Sequence, residues 1–140
     1  HMLTQIPGSS DVFPGGFVTY SNALKASVLG VRKDTLETQG AVSEATVREM
    51  LTGALDKSGA DLGVAISGVA GPGGGSAEKP VGTVWLAWGS REDVETVCLL
   101  WPVERVLFQT MVAAAALDAL RRRLLGIQSQ SFYLQQRRVI

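Results

Sequence analysis

The sequence predicts an α/β domain, and three observations support that class. A chain of 140 residues that is 46% hydrophobic has the size and the apolar content of one domain with a continuous core. Apolar residues recur with helical spacing in two segments, residues 43–59 and 103–125. Short β-rich runs bounded by turn residues lie between these segments, and such runs are typical of strands.

The first elements are a loop, a strand and a short helix. A Pro-Gly-Gly turn signal precedes the β-rich run Phe17–Tyr20, which we expect to be a strand that ends at Tyr20. Helix-forming residues fill Ala23–Leu29 and are followed by Gly30, which predicts a short helix with Lys25 in its first turn. The segment from Tyr20 to Lys25 therefore lies at a strand-to-helix junction, and it is the first candidate site loop.

The central helix and the strand after it have the clearest signals. Ser43 can cap a helix, apolar residues then follow on one face, and Gly59 ends the pattern. The run Leu62–Ile66 is typical of a buried strand, and it leads into the glycine-rich segment Ser67–Ser76. Because α/β sheets usually hold ligands at the carboxyl ends of strands, this segment is the second candidate site loop.

The rest of the chain predicts a hairpin, a long helix and a tail. Two strand-like runs, Val81–Trp88 and Val94–Trp101, are separated by polar residues and glycine, so they should pair as a hairpin. Helical spacing from Val103 to Leu125 indicates a helix with one face packed on the sheet. Residues 127–140 are rich in Gln and Arg without periodicity, and we expect a mobile tail or an extension that docks on a partner.

The charge balance argues against a nucleic-acid partner, and the hydropathy argues against a membrane span. Thirteen basic and thirteen acidic residues cancel, so no excess positive field is available to hold a phosphate backbone. The run Arg121–Arg123 ends a helical pattern, where cations favour the helix dipole. The sequence contains no apolar run of about twenty residues, which is the length that a membrane-spanning helix requires. We therefore expect a cytoplasmic protein without nucleic-acid or membrane partners.

Histidine and cysteine are almost absent. The only histidine, His1, precedes Met2 in a pair that looks like the remnant of a cleaved expression tag. The only cysteine, Cys98, lies in an apolar run, where a small buried side chain is the expected role. These residues supply neither a Ser-His-Asp arrangement nor a zinc site. We therefore expect chemistry that uses no metal and no cofactor.

Two features could carry chemistry without histidine. Lys25 follows a tyrosine and an asparagine closely in sequence, and a lysine whose pKa is lowered by burial can act as general base for a serine nucleophile. The alternative is a solvated surface lysine. The glycine-rich loop could cradle an anion, but Lys79 is followed by Pro80 and neither phosphate-loop spacing is complete. A flexible surface loop is the equally weighted alternative.

Six short motifs occur in order along the chain. They are Pro7-Gly8-Ser9-Ser10, Gly16–Asn22 with Lys25, Leu29-Gly30-Val31, Gly40–Ser43, Ser67–Pro72 and Lys79–Val84. Together they resemble the CinA C-terminal domain family, the nicotinamide-nucleotide amidases. The similarity runs from about Leu3 to Trp88 and continues more weakly through the long helix, so we expect this domain over residues 3–126.

The resemblance implies a three-layer α/β/α sandwich with a mixed sheet. It also implies hydrolysis of the carboxamide of nicotinamide mononucleotide (NMN) to nicotinic acid mononucleotide and ammonia, by a serine/lysine mechanism without metal. By motif, Lys25 corresponds to the lysine base and Tyr20 to the tyrosine beside it. The positions that correspond to substrate-binding segments are Ser21, Asn22, Ser67, Gly68, Ala70, Gly71, Pro72 and Thr83.

The chain departs from the family pattern in two places. The family's nucleophilic serine lies in a Glu-Ser-Cys-Thr-Gly-Gly type motif before the Pro-Gly-Ser-Ser segment, and this sequence does not contain it. We therefore expect the first strand and part of the first helix to be missing, and this chain to be inactive. Relatives also carry a Gly-Asp-Arg motif before the last helix, where this chain has Trp101–Val106. Arg105 is the candidate substitute for the family's ligand arginine.

Other functions stay open at this stage. A non-catalytic relative of CinA would keep the pocket to bind a nucleotide, or would act as an oligomerising module, and the altered segment before the long helix favours it. An interaction protein that acts on other proteins is a further alternative. Because loss of a strand exposes unpaired backbone groups, we expect a homo-oligomer.

Overall fold

Helices and one sheet make up the protein, which confirms the predicted α/β class. The computed structural model describes residues 2–129 and 131–139. Two short 3-10 helices, Leu3–Gln5 and Ser9–Asp11, come first. The elements that follow are α1 Asn22–Leu29, α2 Lys33–Thr38, α3 Glu44–Ser58, β1 Gly63–Gly68, β2 Thr83–Gly89, β3 Val94–Leu100, α4 Arg105–Leu124 and α5 Phe132–Arg137.

The sheet has the strand order β1-β2-β3, and both pairings are antiparallel. The predicted hairpin is confirmed as β2 and β3, with Trp85 opposite Cys98. The resemblance implied a mixed sheet, whereas the three described strands pair only in the antiparallel sense. The predicted strand Phe17–Tyr20 is an irregular segment outside the sheet, so this prediction is wrong. A segment with strand propensity forms a strand only when it pairs with the edge of another strand, and this segment pairs with no strand among the described residues.

Two apolar cores flank the sheet and define three layers. On one face, Ala87 of β2 packs with Leu29 of α1 and Leu51 of α3. On the other face, Leu86 of β2 belongs to the core that contains Phe108 of α4. Successive residues of a strand point to opposite faces, so β2 contributes to both cores. The expected α/β/α sandwich is therefore confirmed.

The helix boundaries follow the capping signals. The Ser43 hydroxyl accepts a hydrogen bond from the Thr46 N–H at 3.2 Å, and α3 ends at Gly59, which has a φ of 69°. Ser21 caps α1 in the same way, and that helix ends at Gly30 with a φ of 71°. Both glycines adopt the left-handed conformation that commonly closes a helix. Local sequence therefore determines where these two helices begin and end.

A close approach between α1 and α3 depends on Gly53. A Cβ atom built on Gly53 would lie 1.8 Å from the carbonyl oxygen of Leu29, the last residue of α1. No side chain fits at this point, so the backbones of the two helices can meet only with glycine in α3. This contact holds α1, the helix that carries Lys25, against α3.

The end of the chain lies along the outer edge of β3. Leu134 of α5 is 2% exposed and belongs to the α4-side core. Beyond the helix, Arg138 forms an antiparallel bridge with Leu99, and the Val139 N–H donates to the Cys98 carbonyl at 3.0 Å. The described part of the predicted tail therefore packs on its own chain, with a hydrophobic anchor and two backbone contacts.

The arginines at the end of α4 form ion pairs with carboxylates of the same chain. Arg121 and Arg122 each contact a carboxylate oxygen of Asp118 at 2.7 Å. Arg123 reaches Asp93 at the β2–β3 turn, also at 2.7 Å. The predicted helix-end role of this run is confirmed. Neither α4 nor any other helix in the described residues combines the length and the apolar character needed to cross a membrane.

Candidate functional site

Lys25 is a buried lysine in the first turn of α1. It is 7% exposed, although the residues around it at positions 20–24 are all exposed. Its Nζ donates to the carbonyl oxygen of Thr19 at 2.8 Å. No carboxylate within the described ranges forms an ion pair with it, and burial lowers its pKa. The condition that a base role requires, namely burial, is therefore met.

Thr19 is a residue that the sequence did not single out. Its carbonyl oxygen holds the Lys25 amine, and it is itself only 8% exposed. A hydrogen bond through a backbone carbonyl depends on chain geometry rather than on the type of the side chain, so no motif announces it. The only local sign of this contact is that Thr19 and Lys25 are six residues apart, on either side of the helix cap at Ser21.

Arg105 joins the two candidate loops. It is the first residue of α4, and its Nη1 donates to the Gly71 carbonyl at 2.7 Å. Its Nη2 also donates to the Tyr20 hydroxyl at 3.4 Å. Tyr20 is 82% exposed, so the guanidinium and the phenol lie at the protein surface. The two loops, which lie far apart in sequence, therefore come together through Arg105.

Ser67 lies at the end of β1 and not in the loop. Its hydroxyl donates to the Ala41 carbonyl at 2.6 Å, and the residue is 8% exposed. Gly68 follows in the strand, where an added Cβ would lie 2.9 Å from the Thr83 carbonyl oxygen and 3.0 Å from Val84 Cβ. In this structure, Ser67 therefore anchors the segment before α3, and Gly68 permits tight strand pairing.

The remaining predicted positions surround this strand end. The Thr83 hydroxyl is buried and donates to the Pro80 carbonyl at 2.7 Å. Ala70 is partly buried against the α4-side core. Gly71 has a φ of 77°, and an added Cβ would lie 2.6 Å from Val81 Cγ1. Pro72 is exposed. These residues shape the loop backbone and hold the carbonyl that Arg105 contacts.

Ser21 and Asn22, the two predicted site residues that follow Tyr20, are exposed. Ser21 uses its hydroxyl to accept a hydrogen bond from the Leu24 N–H at 3.2 Å. Asn22 begins α1, and its side chain is exposed. Among the described residues, no serine or threonine hydroxyl is hydrogen-bonded to the Lys25 Nζ. The site therefore contains a candidate base and a candidate anion-binding group, but the described part of the chain shows no hydroxyl paired with the base.

Metal and thiol chemistry find no support in the described ranges. No group of three His, Cys, Asp or Glu side chains there is arranged to hold a metal. Cys98 is 3% exposed, as expected for a small core residue, and burial raises the pKa of its thiol. A buried thiol with a raised pKa is a poor nucleophile.

Relatives of this chain carry the names CinA-like protein and PncC. A CinA-like protein of Colwellia psychrerythraea is 55% identical over 135 residues, which cover 96% of this chain and 31% of the relative. The nicotinamide-nucleotide amidohydrolase PncC of Enterobacter agglomerans is 58% identical over 90 residues, which cover 64% of this chain and 55% of that protein. The chain thus spans about a third of the length of the CinA-like relatives.

Solved structures and a family profile agree with these relatives. The competence damage-inducible protein A of Klebsiella pneumoniae superposes with a TM-score of 0.84 at 39% identity, covering 90% of this chain and 78% of that one. The CihA protein of Agrobacterium tumefaciens gives 0.82 at 43% identity, covering 91% and 76%. The profile of the CinA C-terminal domain matches residues 1–124. With that match over most of its length, the chain belongs to the CinA C-terminal domain family.

Proposed function

We propose that this chain forms the amide-binding part of a nicotinamide-nucleotide amidohydrolase site, with Lys25 as the general base. The observation that carries the proposal is the buried Lys25 amine, which is held by a backbone carbonyl and has its pKa lowered by burial. A lysine in this state is more readily neutral near physiological pH than an exposed one, so it can accept a proton. The PncC relative, 58% identical over 90 residues, supports the choice of substrate class.

In the proposed reaction, a hydroxyl attacks the carboxamide carbon while the Lys25 amine takes the hydroxyl proton. The C–N bond then breaks, the proton passes to the leaving nitrogen, and ammonia departs. Water hydrolyses the resulting ester and yields the carboxylic acid. Because no described hydroxyl is hydrogen-bonded to Lys25, we propose that this chain binds the nucleotide but does not acylate at an appreciable rate.

Arg105 supplies the charge that a nucleotide requires. Its guanidinium contacts Gly71 O and Tyr20 OH, two neutral acceptors, and no described carboxylate forms an ion pair with it. Guanidinium groups bind phosphate through paired N–H donors. We therefore propose that Arg105 binds the phosphate of an NMN-like ligand. The partner in this proposal is a small-molecule nucleotide, and the proposed location of the protein is the cytoplasm.

Calorimetric titration with NMN tests this proposal. We expect measurable binding by the wild type, and an affinity at least about tenfold lower for Arg105→Gln, because a charge-assisted hydrogen bond is lost. Arg121→Gln removes an arginine at the other end of the same helix and should bind NMN like the wild type. Wild-type protein that binds no NMN, or equal losses in both variants, would contradict the assignment.

A second candidate function is a binding or oligomerising relative that never catalyses. The absence of a described hydroxyl paired with Lys25 favours it. Measurement of the ammonia released from NMN separates the two candidate functions. The amidase proposal predicts that ammonia is released once a nucleophilic hydroxyl is supplied, whereas a non-catalytic relative would release none. A peptide with the family's Glu-Ser-Cys-Thr-Gly-Gly type motif, added in trans or fused to the chain, is the direct probe. Sustained failure of ammonia release despite NMN binding would favour the non-catalytic relative.

A further inference from the structure

Thr19 has a buried hydroxyl without a hydrogen-bond partner. Only two buried side-chain polar atoms in the described residues are unpaired, Thr19 Oγ1 and Trp101 Nε1. Thr19 is 8% exposed, while its neighbours Val18 and Tyr20 are 88% and 82% exposed. The segment therefore turns inward at one residue only, and that residue brings a polar group which nothing in the folded chain satisfies.

The unpaired hydroxyl belongs to the residue whose carbonyl oxygen holds the Lys25 amine. The Lys25 Nζ is 2.8 Å from the carbonyl oxygen of Thr19, and covalent geometry keeps the hydroxyl and carbonyl oxygens of one threonine within about 5 Å of each other. The lysine uses one of its donors on that carbonyl, and no second hydrogen bond to its amine is found among the described residues. One residue thus presents a buried hydroxyl without a partner and, through its carbonyl, holds a buried amine, while Val18 and Tyr20 on either side of it are exposed.

An unpaired buried hydroxyl destabilises a folded protein, so its presence needs a physical reason. The Trp101 indole belongs to the apolar α4-side core. Thr19 differs because its own carbonyl holds a buried amine. A ligand that enters here can satisfy both groups at once if it offers an acceptor to the amine and a donor to the hydroxyl.

We propose that Thr19 is a ligand-binding residue whose hydroxyl accepts a hydrogen bond from the N–H of a primary carboxamide, while the carbonyl of that carboxamide faces Lys25. A primary carboxamide carries one acceptor and two donors on adjacent atoms, which matches the two groups. The assignment rests on the proposed function and names the residue that recognises the amide nitrogen.

Calorimetry on Thr19→Val and Thr19→Ser tests the assignment. Valine has nearly the shape of threonine without the hydroxyl, so we expect NMN affinity to fall about tenfold, as for one lost hydrogen bond. Thr19→Ser keeps the hydroxyl and should retain most of the affinity. Ribose 5-phosphate, which lacks the carboxamide, should bind Thr19→Val and the wild type equally.

A stability measurement distinguishes ligand binding from a structural role. Because the hydroxyl has no partner in the folded chain, Thr19→Val should melt at or above the wild-type temperature. A clear loss of thermal stability would show that the hydroxyl makes a structural hydrogen bond and would overturn the assignment. Unchanged NMN affinity in Thr19→Val, with wild-type binding intact, would overturn it while leaving the proposed function standing. Wild-type protein that binds no NMN would overturn both.

Discussion

At the scale of single residues, burial changes what Lys25 can do. An exposed lysine stays protonated and solvated at neutral pH, whereas this one is 7% exposed and is held by the Thr19 carbonyl. The sequence identified Lys25 through its neighbours Tyr20 and Asn22, but these neighbours are exposed, and the amine donates to the Thr19 carbonyl instead. The predicted residue has the required burial, and the backbone supplies the contact.

The pH dependence of stability tests the state of Lys25. Burial lowers its pKa in the folded protein below the ordinary value of 10.5 that applies to the unfolded chain. Between these two values the unfolded state binds more protons, so folding becomes more favourable as pH rises. The free energy of unfolding of the wild type, relative to Lys25→Met, should therefore increase from neutral pH towards pH 10. Urea unfolding at a series of pH values measures it.

Lys33→Met is the matched control for this titration. Lys33 is an exposed lysine at the start of α2, so this variant removes a lysine charge without removing a buried amine. A difference between wild type and Lys25→Met that stays constant across the same pH range would show that Lys25 keeps the same charge in folded and unfolded chains. The base assignment would then lose its physical support.

At the scale of elements, the predictions that rest on local signals were confirmed, whereas a strand prediction that depended on long-range pairing was wrong. Ser43 and Gly59 set the ends of α3 through their own side-chain and backbone preferences, so the sequence predicted that helix closely. Phe17–Tyr20 has strand propensity but no ladder among the described residues. Propensity acts within a segment, whereas a strand also requires a partner edge that is remote in sequence.

The contact between α1 and α3 makes Gly53→Ala a sharp test of packing. Alanine usually stabilises a helix relative to glycine by about 1 kcal/mol. Here the new Cβ would meet the Leu29 carbonyl oxygen at 1.8 Å, so we expect the free energy of unfolding to fall by about 1–3 kcal/mol or more. Chemical denaturation measures the change. NMN affinity should fall with it, because α1 carries Lys25.

Gly73→Ala provides the comparison. A Cβ at Gly73 meets no atom within 4 Å, so this substitution in the glycine-rich loop should change stability by no more than about 0.5 kcal/mol. If Gly53→Ala proved as stable as Gly73→Ala, the two helices would have to pack less closely than the structure shows.

At the scale of the whole molecule, β1 is an edge strand. It pairs only with β2 among the described strands, and Ile66 at its centre is 38% exposed. Open strand edges with apolar side chains tend to pair with another chain. We therefore propose a homo-oligomer, as the sequence led us to expect, and predict a mass of at least two chains in multi-angle light scattering.

Substitution at the strand edge provides the check on that prediction. Ile66→Lys places a charge in the exposed position of β1 and should shift the population towards monomer. Val12→Lys, at a residue that is 84% exposed outside the sheet, should leave the mass unchanged. A wild-type protein that is monodisperse and monomeric at all concentrations would rule out the homo-oligomer.

The sequence by itself determined the α/β class, the ends of the main helices, the β2–β3 hairpin and the family, because caps, periodicity and ordered motifs act through neighbouring residues. It also identified Lys25, Tyr20, Gly71 and Arg105 as site candidates. Only the tertiary structure decided that Arg105 contacts both loops, that Ser67 bonds to the segment before α3, and that the Thr19 carbonyl holds the lysine while the Thr19 hydroxyl has no partner. Burial and contacts between remote segments depend on how the layers pack, and no local pattern encodes that packing.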